Sequence, residues 1–393
     1  MNLGRIIRFT AVAGLALLLA GAAGGGIAFA QSGAANPLIL SEVSSNCSNP
    51  KIALIPGGDV VAVWQGEVDG RSRVLFRRQI GGRWTGEQVV DQTLLGENTD
   101  PALAVDAQGN AHIVWCHGDD GQFKIHYSYQ VGNRWMEFGA LNPESSANSE
   151  FPVITIDASG RVLVAWQEGN GTLYSIKVAM LDGAGPVRLF SPTGDSPQHY
   201  NLYPQLFSTP DLLLTWYEAE TADFSLRAAR FDDAEQKFVK APLDDFTKIA
   251  ANRLPKLFRL ATGQLVGLWY DTDGLSDRIF LGVEESETSG AGIIVDGNPA
   301  SDNHLPSGDG ASLDNLALCW VGETSEGIKV FVANGSLENL QTAATLSAPD
   351  QRYNSHPDVA LSGDSVHVVW YSGVPDGGNG KVYYSRIPLT SEE

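Results

Sequence analysis

The sequence predicts an all-β fold, a seven-bladed β-propeller with four antiparallel strands in each blade. Three observations predict it: a repeat of about 50 residues, strand-like patterns inside each repeat, and the absence of helical periodicity. The repeat is visible in NTDPALAVDAQGNAHIVW, residues 98–115, which resembles CSNPKIALIPGGDVVAVW and SEFPVITIDASGRVLVAW on either side. An array of this kind places its functional surfaces where the array repeats them.

Two residue types mark every repeat. A proline opens each unit at steps of 51 or 52 residues, at Pro50, Pro101, Pro152, Pro204, Pro255, Pro306 and Pro357. A tryptophan follows at steps of 50 to 53 residues, at Trp64, Trp115, Trp166, Trp216, Trp269, Trp320 and Trp370. Seven of the nine tryptophans thus share one repeat position, which indicates seven copies of one structural unit.

The strands of a unit follow in a fixed order. Proline suits the first residue of a strand because it cannot donate to a ladder. A turn such as DAQG, residues 106–109, leads into an apolar, β-branched run that ends in the tryptophan. A third strand such as FKIHYSYQ comes after an acidic loop, and a less regular fourth strand precedes the next proline. The tryptophan run is apolar on both faces, which predicts burial between neighbouring blades.

The two ends of the chain predict how the ring closes. The sequence ends soon after the third strand of the last unit, so that blade lacks its outer strand. PLILSEVSS, residues 37–45, precedes the first unit and resembles a fourth strand. We expect this N-terminal strand to complete the last blade, which removes the exposed edges of an open array. Residues 31–393 then form a single domain.

Residues 1–30 have the pattern of a secretory signal peptide. Arg5 and Arg8 lead a charge-free apolar stretch that ends in Ala28-Phe29-Ala30, so cleavage is expected before Gln31. The stretch is also long enough for an uncleaved membrane anchor. Both readings place the propeller outside the cytoplasm, secreted or else periplasmic or at the cell surface, with membrane contact only if the segment is retained.

Charge and cysteine usage exclude several functions. The net charge of −20 disfavours nucleic acid and anionic membranes as partners. Three cysteines, Cys47, Cys116 and Cys319, make no disulfide framework and are expected as small buried side chains. The sequence has no G-x-S-x-G, H-E-x-x-H or phosphate-binding loop that would indicate another class of enzyme. We expect a monomer without a cofactor.

The loops that lead into the first strands carry a repeated asparagine. It stands three residues before the proline in five of seven units, including Asn201, Asn252, Asn303 and Asn354. A ring of amides around a central channel would suit sugar hydroxyls. The alternative is that asparagine recurs because the same tight turn recurs.

A second set of loops, just after each tryptophan, is acidic. Glu218 and Asp271 belong to it, and two such carboxylates could act as acid and base in glycoside hydrolysis. The alternative is a solvated acidic rim. Calcium is the weaker reading of this set because no D-x-D-x-D-G spacing occurs.

Two leading loops depart from the repeat. Residues 191–203 gather His199, Tyr200 and Tyr203, and residues 295–310 carry His304 ahead of a polar, glycine-rich first strand. Aromatic rings beside polar groups suit sugar recognition, and a polar inner strand is costly unless it meets water or a ligand. The candidate ligand-binding residues are His199, Tyr200, Tyr203, Asn201, Asn252, Arg253, Asn303, His304, Arg352, Asn354, Glu218 and Asp271.

Two hairpins resemble the Asp box of sialidases, S-x-D-x-G-x-x-W. They are SYQVGNRW, residues 128–135, and RQIGGRW, residues 78–84, with Gln130 and Gln79 at the position of the Asp. With the Pro…D-x-x-G…W units, the chain is similar to the sialidase-like propeller superfamily with bacterial neuraminidase repeats, in degenerate form. In that family the box is a turn motif away from the active face, so it implies fold and not activity.

The resemblance also implies what a sialidase would need. That activity implies three arginines on the sugar carboxylate, a Tyr-Glu nucleophile pair and an Asp acid/base, and only Arg253 and Arg352 stand in the leading loops. More carboxylates than guanidiniums on this face would repel an anionic sugar. We therefore expect a non-catalytic module that binds a glycan or an extracellular protein. A glycoside hydrolase, sialidase-type or with paired carboxylates, and a plain scaffold are the alternatives.

Overall fold

The computed structural model describes residues 37–92, 95–119, 121–171, 173–182, 187–195, 198–219, 224–243, 255–272, 274–284, 292–296, 302–349, 353–374 and 379–389. The predicted signal peptide or anchor, residues 1–30, lies outside them. The described residues contain strands and turns but no helix, and so none that could cross a membrane. The predicted all-β class is confirmed for this part of the chain.

Twenty-nine strands are described. The first fourteen are β1 (Leu38–Ile39), β2 (Ser45–Leu54), β3 (Val60–Val68), β4 (Arg71–Ile80), β5 (Arg83–Trp84), β6 (Gln88–Val89), β7 (Glu97–Val105), β8 (Ala111–Asp119), β9 (Gln122–Val131), β10 (Arg134–Ala140), β11 (Asn148–Ile156), β12 (Val162–Gly169), β13 (Tyr174–Leu181) and β14 (Arg188–Phe190). The others are β15 (Tyr200–Phe207), β16 (Leu213–Ala219), β17 (Phe224–Asp232), β18 (Lys237–Ala241), β19 (Lys256–Arg259), β20 (Leu265–Thr272), β21 (Asp277–Val283), β22 (Ile293–Ile294), β23 (Asn303–Ser312), β24 (Asn315–Thr324), β25 (Gly327–Ser336), β26 (Asn339–Leu346), β27 (Tyr353–Leu361), β28 (Ser365–Gly373) and β29 (Lys381–Pro388).

The strands pair antiparallel in chain order, as the repeat predicts. Four sheets have four strands, β10-β9-β8-β7, β19-β20-β21-β22, β23-β24-β25-β26 and β1-β29-β28-β27, and β2 to β6 form a fifth sheet. The sixth sheet has eight strands, because β11–β14 and β15–β18 are joined by one parallel pair, Tyr174 with Tyr200. The number of blades and the closure of the ring stay predictions at this point.

The first strand of each unit lies against the first strands of its neighbours. These inner strands are β2, β7, β11, β15, β19, β23 and β27, and β27 also contacts β2. Buried apolar clusters fill the spaces between adjacent units, and one of them joins Trp64 of the first unit to Val369 and Val382 of the last. All seven repeat tryptophans are buried in these clusters, as predicted.

The N-terminal strand pairs with the last strand of the chain. Leu38 lies opposite Tyr384 and Ile39 opposite Tyr383. The backbone N–H of Val382 then donates to Ser41 Oγ at 2.8 Å. The segment at residues 37–41 is thus the outer partner of β29, in the place where the other units have a fourth strand.

The repeated asparagine and tryptophan form one buried hydrogen-bond network. Trp115 Nε1 donates to Asn98 Oδ1 at 2.9 Å, and Asn98 Nδ2 donates to Asp91 Oδ2 at 2.9 Å. Asp91 in turn accepts from the N–H of Val74 on the third strand of the preceding unit. The asparagine therefore ties the second strand of its own unit to the outer part of the unit before.

The hairpins that resemble Asp boxes use their tryptophans for contact with the preceding unit. Trp135 lies edge-on to Phe76, with ring centroids 5.0 Å apart, and Trp84 meets Tyr384 in the same way at 5.0 Å. In these two hairpins the tryptophan of the motif packs against a neighbouring unit. The three cysteines are buried and free, as predicted.

Candidate functional site

The structure brings the two predicted loop sets to the same end of the sheets. Asn201, at the start of β15, lies opposite Glu218 near the end of β16. Glu218 Oε1 accepts from both Arg227 Nε and Arg227 Nη2 at 2.8 Å, so its carboxylate already has a cationic partner. Asp271 lies at the corresponding end of β20 and accepts the backbone N–H of Thr272 at 2.9 Å.

The described asparagines of the leading loops are interior. Asn201, Asn303 and Asn354 are 2%, 0% and 0% exposed, and each accepts the indole N–H of its own unit's tryptophan. Their amide groups donate to neighbouring backbone or carboxylate oxygens. These side chains fasten the units together and present no surface to a ligand. Asn252, Arg253 and Arg352 lie outside the described residues.

The residue just before each repeat proline has an unusual backbone. We call the described ones the pre-proline set: Asn49, Asp100, Phe151, Tyr203, Leu305 and His356, with φ between +48° and +53°. The pairing of first and second strands shifts register at each of these positions, as in a β-bulge. A left-handed φ costs a non-glycine residue about 1–2 kcal/mol, and the same strained position recurs before each of these prolines.

The pre-proline set is chemically uneven around the inner strands. Phe151 is 41% exposed and its ring meets that of Tyr203 edge-on at 5.1 Å. The backbone N–H of Tyr203 donates to Gln167 Oε1 at 3.1 Å, which fixes the aromatic pair on the second strand of the preceding unit. In the first and second units, Asn49 Nδ2 donates to Asp100 Oδ1 at 3.0 Å. The pre-proline set therefore has an aromatic part, Phe151 and Tyr203, which we call the aromatic arc, and a polar part, Asn49 and Asp100.

Charged side chains occupy the position just after the repeat proline. Lys51, Lys256 and Asp358 stand there on three inner strands. Desolvation and the nearby Lys51 lower the pKa of Lys256, although its side chain keeps contact with solvent. Asp358 accepts from Ser307 Oγ at 2.8 Å and from the backbone N–H of Ile52 at 3.0 Å, which links three units.

Desolvation shifts the pKa of two side chains of the pre-proline set. His356 is exposed, yet desolvation together with Lys51 lowers its pKa to about 4, so it is neutral at pH 7. Burial raises the pKa of the Asp100 carboxyl, against the opposing effect of Lys51.

The remaining predicted residues lie around this region with different surroundings. His304 is half-exposed, with Nε2 3.6 Å from Asp277 Oδ2 and its ring edge-on to Tyr270 at 4.8 Å. Tyr200 begins β15, and both Tyr200 and His199 just before it are half-buried. No group of three His, Cys, Asp or Glu side chains that could hold a metal ion occurs among the described residues.

Sequence reasoning missed Phe151, Asp100 and Lys51. The prolines were recognised as the starts of strands, but the residue before each proline varies from Asn to Phe and gave no compositional signal. The one signal available was position itself, since a fixed offset from a repeat proline puts unlike side chains at equivalent places in the units.

Comparison with known proteins adds a fold-level likeness. No family model and no curated protein matches the sequence. A solved ulvan lyase of family PL25, bound to -[GlcA(1-4)Rha3S]-, is similar with a TM-score of 0.56 at 11% identity, over 92% of this chain and 97% of its own. A Dyadobacter fermentans protein of unknown function has a TM-score of 0.55 at 12% identity, over 91% and 99%. The polysaccharide lyase Uly1 has a TM-score of 0.52 at 12% identity, over 93% and 94%.

At such identity the likeness shows the fold alone. It extends over nearly the whole of each similar protein, so the described chain has the architecture of these proteins from end to end. An all-β structure of antiparallel four-stranded sheets, similar to carbohydrate-active proteins, is consistent with the predicted β-propeller.

Proposed function

We propose that the chain is a closed seven-bladed propeller of the sialidase-like superfamily, with β1 as the outer strand of the last blade. Three observations support this proposal: the pairing of β1 with β29, the contact of β27 with β2, and the apolar cluster between first and last units. A fourth is electrostatic, because Lys51 of the first unit affects the pKa of Lys256 in the fifth. Such reach across the molecule is expected if the inner strands surround one channel.

We further propose that the protein binds a glycan, without turnover, at the aromatic arc of the pre-proline set. The observation that carries this proposal is the pair Phe151 and Tyr203, held at positive φ and partly exposed beside polar side chains. A flat apolar ring next to hydrogen-bonding groups is the combination that sugar rings require. Glu150 supplies such a group there, and its carboxylate accepts a 3.2 Å hydrogen bond from the buried Gln167.

The experiment is a glycan-array screen of the secreted protein, followed by titration calorimetry with the best neutral and acidic oligosaccharides. Phe151→Ala and Tyr203→Ala are each expected to weaken binding at least about tenfold, since a buried aromatic contact is worth about 1–3 kcal/mol. Phe138→Ala is the matched control, because Phe138 is 43% exposed and outside the pre-proline set. Equal loss in the control, or a blank array, would overturn the proposal.

Glycoside hydrolysis is the second candidate function, and the contacts of Glu218 favour it. The Arg227 guanidinium holds the Glu218 carboxylate in place at 2.8 Å, and a nucleophile or base needs a fixed orientation. The same oligosaccharides are incubated with the protein and analysed for shorter products. Cleavage that disappears in Glu218→Gln and in Asp271→Asn would establish the hydrolase and remove the non-catalytic proposal.

We propose an extracellular address and an extracellular glycan or protein partner, with no nucleic-acid partner. The apolar segment before Gln31 and the net charge of −20 support this. Mass spectrometry of the exported protein tests it: a mature N-terminus at Gln31 is expected, whereas a retained Met1 in a membrane fraction would favour the anchor.

A further inference from the structure

A second concavity lies on the outer flank of the molecule, away from the inner strands. It is an open cleft of about 880 Å³ between the β3–β4 turn, β4 and β6 of the first unit and the β9–β10 hairpin of the second. Its walls carry three arginines, Arg71, Arg73 and Arg134, against one carboxylate, Asp69. The protein as a whole has 46 acidic and 26 basic residues, so this local excess of guanidinium groups runs against the surface average.

The three arginines differ in how they are held. Arg73 Nη1 lies 3.1 Å from Asp91 Oδ2 and belongs to the buried network that joins the units. Arg71 and Arg134 are exposed, and neither has an ion pair within the described part of the chain. Two guanidinium groups therefore face the cleft with their donors open to a ligand, and each can grip a carboxylate or sulfate with two parallel hydrogen bonds.

An aromatic wall completes the cleft. Trp135 follows Arg134 directly, and its ring is fixed by the edge-on contact with Phe76 and by a 3.1 Å hydrogen bond from Nε1 to Gln88 Oε1. The side chains of Gln92 and Asn133 also line the space. A pre-oriented indole with amide and guanidinium donors around it suits a sugar ring that carries an anionic group.

We propose that this flank cleft binds a sugar chain bearing carboxylate or sulfate groups, with Arg71 and Arg134 on the anions and Trp135 against a ring. The site is distinct from the aromatic arc, because its residues lie on outer strands and hairpins and none of them belongs to the pre-proline set. The inference does not rest on the proposed function. The two sites can be filled or lost separately.

The test is calorimetric titration of the full secreted protein at low salt with three probes: a heparin-derived hexasaccharide, an oligogalacturonide of the same length, and neutral cellohexaose. Binding of an acidic probe is expected, with affinity lowered at least about tenfold by Arg71→Ala and by Arg134→Ala. Heparin carries both sulfates and carboxylates and the oligogalacturonide only carboxylates, so binding of heparin alone would show that the cleft requires sulfate. Acidic-probe binding that is lost in Phe151→Ala but kept in Arg134→Ala would place the ligand at the aromatic arc and overturn the proposal.

Arg83→Ala is the matched control. Arg83 is exposed and precedes Trp84 as Arg134 precedes Trp135, but it does not line the cleft. Acidic probes that bind no better than cellohexaose would overturn the proposal. So would an Arg83→Ala loss as large as that of Arg134→Ala, because binding would then follow overall charge and not this site.

Discussion

The repeated asparagine offers the sharpest test of how this fold is held together. In Asn98→Ala the indole N–H of Trp115 loses its acceptor at 2.9 Å while both groups are fully buried. A buried donor left without a partner costs about 1–3 kcal/mol, and the lost bond to Asp91 adds about 1 kcal/mol. Asp91 keeps its hydrogen bonds from Arg73 and Val74, so part of the buried network remains in the variant. We expect the free energy of unfolding to fall by about 2–4 kcal/mol.

The assay is urea unfolding followed by tryptophan fluorescence and by circular dichroism. Asn339→Ala, at an exposed asparagine of β26, should stay within about 0.5 kcal/mol of the natural protein. The effects of Asn98→Ala and Trp115→Phe on the free energy of unfolding should be non-additive by about 0.5–3 kcal/mol, because Phe has no N–H that could be left without an acceptor. A change below about 1 kcal/mol in Asn98→Ala, or additive effects in the double variant, would refute the reasoning.

Two further outcomes follow from the same packing. Gly322→Ala would bring a Cβ to 2.4 Å from Asn303 Oδ1, so we expect the free energy of unfolding in urea to fall by about 1–3 kcal/mol. Gly363→Ala, with open space around the added Cβ, should be neutral. Equal effects of the two substitutions would contradict this. Burial and the nearby His117 lower the pKa of His126 to about 4, below the unfolded value of about 6.5. The unfolded chain thus binds the proton first, and stability falls as pH drops from about 6.5 to 4, by up to about 3 kcal/mol for this group. His126→Phe should flatten the pH dependence by that amount, and an unchanged slope between pH 4 and 6.5 would show that His126 is not the group responsible.

Much of the fold was predictable from the sequence because the repeat itself is informative. Seven prolines and seven tryptophans at a common spacing fix the order of the strands, and the alternation between them fixes which runs are buried. The N-terminal segment was recognised as a partner of the last strand because the last unit was one strand short. These inferences use only local pattern and chain length, which the sequence carries directly.

The candidate site was less accessible to sequence reasoning. The repeated asparagine suggested a ring of ligand-binding amides. In the structure Asn201, Asn303 and Asn354 are buried and accept hydrogen bonds from indole N–H groups. The sequence does not show the direction of these side chains, since a loop residue can point into the interface between sheets or out to solvent. Only the register of the first and second strands decides between the two.

The sequence by itself determined the all-β class, the strand order and the buried tryptophans, because hydrophobic periodicity and turn residues act locally. The tertiary structure decided which side chains meet. It placed Phe151 against Tyr203, 52 residues apart, and it gathered Arg71 and Arg134 in one cleft. Such contacts depend on the bulge before each proline and on the packing of neighbouring units, and the residues involved share no pattern along the chain.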